Sequence, residues 1–169
     1  MKSNRIYLRE ALETDTTFFV ELMNTQGWIE HIGDRNIKTD ADALGYIQKS
    51  LIHSYTTNGF GLYIICLNET DKLIGMCGLV KRDTLDSPDL GFAILPDYEG
   101  LGYVFEASQL TLDFAKETLQ LPEILAITSP TNIRSQNLLE RLGFSVVSNN
   151  DYESEGEPLK KYSLNLSND

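Results

Sequence analysis

The stretch Leu90-Gly-Phe-Ala-Ile-Leu-Pro-Asp-Tyr-Glu-Gly-Leu-Gly-Tyr-Val-Phe-Glu-Ala107 leaves the chain few options. It reads as a short apolar strand, a tight turn carrying Gly100 and Gly102, and then a long helix. A strand that enters a helix through so short a turn aims several backbone N–H groups, at the positive end of the helix dipole, at one point. Such a point holds phosphate without a basic side chain, so a phosphorylated small molecule is the expected ligand. Taken alone, these residues also allow a strand-to-helix turn with no ligand.

The surrounding chain bounds the fold. Its 169 residues suit one domain with a full core, expected to span 1–169. Apolar content of 41% is ordinary for a soluble globular protein. No apolar run approaches the roughly 18 residues of a membrane span. Met1 to Arg5 leads straight into Ile6-Tyr7-Leu8, so no signal peptide is expected and the expected compartment is the cytoplasm. Cys66 and Cys77 both lie in apolar strand-like runs, which favours buried free thiols over a disulfide or a metal site. With His31 and His53 as the only histidines, and no cysteine or acidic cluster at ligand spacing, no metal is expected. The formal net charge of −11 lacks the basic footprint of a nucleic-acid binder. It suits a cationic substrate such as an amine, and it equally suits simple solubility.

Along the chain, residues 5 to 10 form a first strand. Thr14 or Asp15 caps a helix whose apolar side is Phe18, Phe19, Leu22 and Met23. Residues 26 to 38 have no clear period and read as a loop. A second helix starts near Thr39 or Asp40, carries Leu44, Ile47 and Leu51 on one side, and ends before Gly59. Leu62 to Leu67 and Leu73 to Val80 form a hairpin, and Asp89 to Leu95 a further strand. The helix after the glycine turn runs to about Leu119, with Val104, Ala107, Leu110 and Phe114 near one face. Ile124 to Thr128 is a strand. Asn132 caps a helix containing Leu138, Leu139 and Leu142, stopped by Gly143. Phe144 to Val147 and Leu159 to Leu166 close the fold, joined by an acidic polar loop from Ser148 to Glu157. The order β-α-α-β-β-β-α-β-α-β-β predicts an α/β (α+β) domain: a mixed, mostly antiparallel sheet covered by helices, with one parallel crossover.

The glycine turn is not a P-loop NTPase motif, because no Gly-Lys-Ser/Thr follows. It is a poor dinucleotide fingerprint, because Phe105 stands where a third glycine belongs. A second cluster, Ala126-Ile-Thr-Ser-Pro-Thr-Asn-Ile-Arg-Ser-Gln-Asn-Leu-Leu-Glu-Arg-Leu-Gly-Phe144, adds a strand, a polar turn and a helix ended by Gly-Phe. Together the two clusters resemble the GNAT superfamily of acyl-CoA-dependent N-acetyltransferases, most closely the branch that includes the ribosomal-protein N-terminal acetyltransferases. Tyr98 to Ala107 is similar to that branch's pyrophosphate loop and helix, and Asn132 to Phe144 to its second cofactor segment. The element order agrees from about residue 5 to residue 166.

The resemblance implies a cofactor, acetyl-CoA, and a site. In this family the strand before the loop carries a bulge and splays from the next parallel strand, and pantetheine lies in the gap. Carried over, Phe92, Ala93 and Ile94 offer backbone groups to pantetheine and the acetyl carbonyl. Gly100, Leu101, Gly102, Tyr103 and Val104 offer N–H groups to the diphosphate, where a Cβ at 100 or 102 would hold it off. Asn132 orients cofactor, serves as a plain N-cap, or does both. Many members place Gln or Arg where this chain has Asp97, and a tyrosine acid where it has Leu139. The ribosomal-protein branch has a serine near the start of that helix, and Ser135 matches it. Trp28, His31 and Tyr63 are candidates for the acceptor pocket; an apolar loop packing on itself is the other reading of Trp28-Ile-Glu-His-Ile-Gly33.

The implied reaction is direct attack of an amine on the acetyl thioester. The amine must be neutral, whereas an unperturbed lysine has a pKa of about 10.4 and an α-amine about 7.7 to 8.0. Asp89, at the head of the central strand, is the first candidate base; Glu30 and Asp83 follow, each also readable as a solvated loop acid. A backbone N–H near Ile94 stabilises the oxyanion. Arg82 is expected to form a surface ion pair with Asp83 or Asp89. Two other functions remain open: a non-catalytic module that senses acyl-CoA, and an adenine-nucleotide protein. The acceptor is a small-molecule amine or a protein N-terminus, with neither nucleic acid nor membrane as partner, and the family contains both monomers and homodimers.

Overall fold

The computed structural model describes residues 1–154 and 157–167. Strands β1 (Ile6–Arg9), β2 (Leu62–Leu67), β3 (Leu73–Val80), β4 (Asp89–Ile94), β5 (Glu123–Thr128), β6 (Ser145–Ser154) and β7 (Glu157–Asn165) form one sheet in the order β1-β2-β3-β4-β5-β7-β6. All neighbours are antiparallel except β4 and β5. This is the mixed, mostly antiparallel sheet that the sequence predicts.

Helices cover both faces. On one side, α1 (Thr16–Met23), α2 (Gln26–His31) and α3 (Asp40–Tyr46) bury Phe18, Phe19, Leu22, Met23, Trp28 and Ala43 against Ile64, Cys66 and Met76 of the sheet. On the other, α5 (Tyr103–Glu117) and α6 (Ile133–Arg141) bury Ala107, Leu112, Ala115 and Leu139 against Ile65, Ile74, Cys77, Leu79 and Ile124. Strands covered on both faces read as continuous apolar runs, as Leu62–Leu67 does. Both cysteines are buried free thiols. Among the described residues no helix is long and apolar enough to cross a membrane.

Several elements depart from expectation. Residues 26–31 are helical, not a loop. Thr25 caps this helix by accepting the Trp28 N–H (3.3 Å), and the Gly33 N–H closes it on the Trp28 carbonyl (3.1 Å). Six residues are too few to display a period. The next helix starts where expected, with reciprocal Thr39 and Asp42 capping bonds. It then widens into a π turn at Ile47–Ile52 before α4 (His53–Asn58), and Gly59 follows. Its buried row is Ala43, Ile47 and Leu51, with Leu44 half-buried.

Helix α5 is rotated from the expected face. Ala107 is buried, but Val104, Leu110 and Phe114 are only half-buried; the inner row is Ala107, Ser108, Thr111, Leu112 and Ala115. The Ser108 and Thr111 hydroxyls lie 3.7 and 3.6 Å from the Cys77 sulfur, and Thr111 also donates to the Ala107 carbonyl (3.0 Å). Small, satisfied polar groups let the helix sit close to β3. The segment expected as a polar loop, 148–157, is mostly strand: β6 runs to Ser154 and pairs with β7 from Glu157 on. Residues 155 and 156 of that loop lie outside the described residues. Strand β4 carries no bulge, since its pairing with β3 is unbroken from Val80↔Asp89 to Gly75↔Ile94; register shifts lie instead between β2 and β3 and between β6 and β7.

The parallel pair β4 and β5 positions the site. The two strands pair only at Asp89↔Leu125, where the Leu125 N–H donates to the Pro88 carbonyl at 3.0 Å. Beyond that point β5 pairs along its whole length with β7, and β4 with β3. Asp89 stands at the divergence, 1% exposed, and its Oδ1 accepts the Arg82 Nε–H at 2.8 Å. Burial raises its carboxyl above the ordinary range, while the Arg82 guanidinium opposes the rise.

A carboxyl whose pKa is higher in the folded state loses stability as pH climbs from its ordinary value to the folded one; the full cost stands above that window and none remains below it. Replacing Arg82 with alanine removes the opposing charge. The variant should lose about 1–3 kcal/mol at pH 7, less than for a fully buried pair because the Arg82 side chain is 35% exposed. The loss should shrink at pH 5, as Asp89 takes up a proton. Denaturant titrations of both proteins at the two pH values check this; equal losses would show that Asp89 is not the source.

Candidate active site

The wedge between β4 and β5 opens into a cleft of about 1970 Å³. One wall is the edge of β4 from Leu90 to Ile94, which has no strand partner beyond Asp89. The opposite wall is Ile127, Thr128 and the start of α6. Phe92, Ala93 and Ile94 therefore line the cleft with half-buried side chains and one free backbone edge. An unpaired strand edge is a row of donors and acceptors ready for an extended amide-bearing chain.

At one end of the cleft lies the glycine turn. Gly100 and Gly102 have φ of 72° and 83°, a region that only glycine enters freely. A Cβ at Gly100 would meet nothing within 4 Å, and one at Gly102 only Arg5 Nη2 at 3.4 Å. Gly102 is the N-cap of α5 and no side chain caps that helix. The first backbone bond into it runs from the Glu106 N–H to the Gly102 carbonyl, 3.1 Å. The amides before Glu106, including those of Tyr103 and Val104, sit at the positive end of a fifteen-residue helix beside the cleft. Leu101, more than half exposed, stands at the tip. Asp97 is exposed on the turn Pro96–Tyr98 and takes no part in the cleft wall.

Across the gap, the Asn132 Oδ1 accepts the Ser135 N–H at 3.1 Å, a plain N-cap, and both residues line the cleft. Ser135 is 8% exposed, in the first turn of α6. Leu139, at 1% exposure, belongs to the core rather than the cleft. Gln136 carries a role that the sequence does not announce. Its amide donates to the Ser129 and Pro130 carbonyls (3.2 and 2.9 Å) and accepts from Lys160 (2.8 Å), fixing the turn ahead of α6 to β7. Arg134 of α6 pairs with Glu99 of the glycine turn, joining the two walls at the mouth.

The α2 end of the cleft is lined by Trp28, Glu30 and His31, with Gly27 beside Glu99 of the glycine turn. The Trp28 indole is buried and donates to the Gly33 carbonyl at 3.1 Å, and His31 Nδ1 is buried without a hydrogen-bond partner. Tyr46 lines the same end, its hydroxyl pushed up to about 12 by burial. Tyr63 does not reach it: its ring stacks on Tyr55 in the core, centroids 5.4 Å apart. Strand parity is the reason, since β2 is buried on both faces and Tyr63 points to the α5 side with Ile65. Asp89 and Arg82 line the cleft; Asp83 does not. Among the described residues no three His, Cys, Asp or Glu side chains group as a metal site.

Known proteins share this architecture. Residues 5–145 match the acetyltransferase (GNAT) domain. The chain is 23% identical to the uncharacterized N-acetyltransferase YnaD of Bacillus subtilis (strain 168) over 83% of this chain and 79% of that protein. It is 30% identical to the [ribosomal protein uS5]-alanine N-acetyltransferase of Escherichia coli (strain K12), over 56% of this chain and 50% of that enzyme. In shape, it superposes on an acetyltransferase from Agrobacterium tumefaciens str. C58 with a TM-score of 0.81 and 26% identity, covering 97% and 92% of the two chains. Sequence match, backbone shape and the opened strand pair agree, and the chain belongs to the GNAT family of acetyltransferases.

Proposed function

We propose that the protein transfers an acetyl group from acetyl-CoA to a primary amine, by direct attack within a ternary complex. The observation that carries this reading is the parallel strand pair joined at a single residue pair and open beyond it. The pantetheine arm lies along Phe92 to Ile94 and exchanges hydrogen bonds with the unpaired edge of β4. The diphosphate is held by the amides of Gly100 to Val104, and Asn132 orients the arm from the opposite wall. The binding groups are main-chain amides and a helix dipole, so the site needs no local excess of basic side chains in a chain of net charge −11.

The acceptor enters from the Trp28 and His31 end. Its nitrogen attacks the thioester carbonyl, the oxyanion is stabilised by a β4 amide near Ile94, and the C–S bond breaks. Asp89 receives the amine proton through a chain of waters along the cleft, because five residues of extended strand set it about 16 Å from Ile94; its upward-shifted carboxyl makes it a better base than an ordinary exposed acid. Ser135 gives its proton to the leaving sulfur. An α-amine is easier to deprotonate than a lysine. That, and the likeness to the uS5-alanine enzyme, favours a protein N-terminus among acceptors, with small-molecule amines as the alternative.

Two variants test the site. Gly102→Glu adds an anion to the turn, with its Cβ 3.4 Å from Arg5 Nη2, and should abolish CoA binding by calorimetry. Forcing a side chain into a left-handed position should cost only about 1–2 kcal/mol of stability. Unchanged CoA affinity would remove the glycine turn from the site. Ser135→Ala should lower kcat about 100-fold in a thiol-release assay over a panel of amines, with the Kd for CoA unchanged. Tight CoA binding by the unsubstituted chain with no thiol release on any amine would turn the reading to an acyl-CoA sensor.

A further inference from the structure

We infer that Arg5 is a positioning residue for the diphosphate turn, acting through the Leu101–Gly102 peptide; this rests on the acetyl-CoA site proposed above. Arg5 immediately precedes β1, nearly a hundred positions before the turn in sequence, and lies on the turn's outer side. It lines no part of the cleft but shares a smaller depression with Ser3, Gly102 and Glu106. Its Nη1 donates to the Leu101 carbonyl at 2.9 Å. Its Nε donates to Glu106 Oε2 at 2.7 Å, and Nη2 lies 2.6 Å from the same oxygen. Its backbone N–H donates to Glu106 Oε1 at 3.2 Å, and Ser3 Oγ donates to that oxygen as well. The guanidinium also lies 4.6 Å over the Tyr103 ring. One side chain therefore grips the tip of the turn, the first turn of α5 and the start of β1 together.

The consequence follows from peptide geometry. The Leu101–Gly102 peptide is trans, as are all those of the described residues, and in a trans peptide the C=O and the next N–H point in opposite directions. With the Leu101 carbonyl drawn outward to Arg5, the Gly102 N–H points inward, to the side where Gly102 lines the cleft. Glycine at 102, whose φ turns with this peptide, leaves it cheap to rotate, so the turn's own sequence does not fix which way the N–H faces. Arg5 fixes it. Glu106 orients Arg5 in turn, and it does so as an anion. Burial would raise its carboxyl, but the hydrogen bonds from Ser3 and Arg5 outweigh burial and hold it ionised below the ordinary range. Arginine is required because a single planar fork must reach a carboxylate and a carbonyl at once; lysine supplies the charge but not the fork.

The test compares the unsubstituted 169-residue chain with Arg5→Ala and Arg5→Lys, using CoA for binding, and acetyl-CoA and S-acetylpantetheine as acyl donors with one amine acceptor. S-acetylpantetheine lacks the diphosphate. Arg5→Ala should weaken CoA binding about 10- to 100-fold and raise the KM for acetyl-CoA by a similar factor, with kcat at saturation unchanged. Turnover of S-acetylpantetheine should match that of the unsubstituted chain, which also shows that the variant is folded. Arg5→Lys should recover only a small part of the loss. CoA affinity within twofold of the unsubstituted chain, an equal loss on S-acetylpantetheine, or full rescue by lysine would each overturn the inference while leaving the acetyl-CoA site standing. Failure of the unsubstituted chain to bind CoA would overturn both.

Discussion

The hydrogen bond from the Leu125 N–H to the Pro88 carbonyl is the seam on which the molecule is built. It joins two half-sheets, β1-β2-β3-β4 and β5-β7-β6, at the single pair Asp89↔Leu125. Parallel neighbours ordinarily pair along their length, and leaving an edge unpaired forgoes a ladder of hydrogen bonds. Here each strand satisfies its other edge in full, β4 with β3 and β5 with β7, and both faces of the sheet remain packed by helices. The opening is therefore confined to one gap. Helix α5 packs on β1, β3 and β4 of the first half-sheet, and α6 packs on β5 of the second and presents its first turn to the cleft. Asp89 sits at the apex, and its ion pair with the half-buried Arg82 ties the head of β4 to the chain just after β3.

The proposed binding of the diphosphate by main-chain amides reconciles two features that otherwise conflict. The chain is strongly acidic, and the family turn here has Asp97 where a Gln or Arg is common. A site built on side-chain cations would be weakened by both. One built on orphan amides at the start of α5 is not, because those dipoles are fixed by the helix itself. What such a site needs is control of peptide orientation. Two glycines at positive φ provide access for the ligand but not that control, so the restraint has to come from elsewhere in the chain.

The parts of the fold legible in the sequence are those set by local chemistry. The strand runs, the capped starts at Thr39 and Asn132, and the glycines after Asn58 and Leu142 all state their role within a few residues. What escaped depends on tertiary partners. Helix α2 is too short to show a period and is held by Trp28 and its contacts. The inner face of α5 turns on Ser108 and Thr111, polar residues that become core only because Cys77 faces them. In a strand as uniformly apolar as β2, parity cannot tell which face meets the acceptor end, so Tyr63 looked available and is in fact stacked on Tyr55. The candidate cofactor residues lie where the motifs imply, along β4, the turn and the start of α6. The Arg5 grip, spanning the distance from the N-terminus to Glu106, has no local signal at all.

Helix phase also decides how the proposed chemistry differs from that of relatives with a tyrosine acid. Ser135 and Leu139 are one turn apart on the same side of α6, and both are buried. At 139 that side faces the hydrophobic core; at 135 it meets the cleft, which continues along α6 past Leu138 to Arg141. A sulfur leaving beside Ser135 would be next to the first turn, where unsatisfied N–H groups favour negative charge. A short hydroxyl at that point works together with the helix end, whereas a long side chain from 139 would first have to leave the core. Under the proposed mechanism the leucine at 139 is a packing residue, and the thiolate would be received at the N-terminal turn that Asn132 caps and Gln136 anchors.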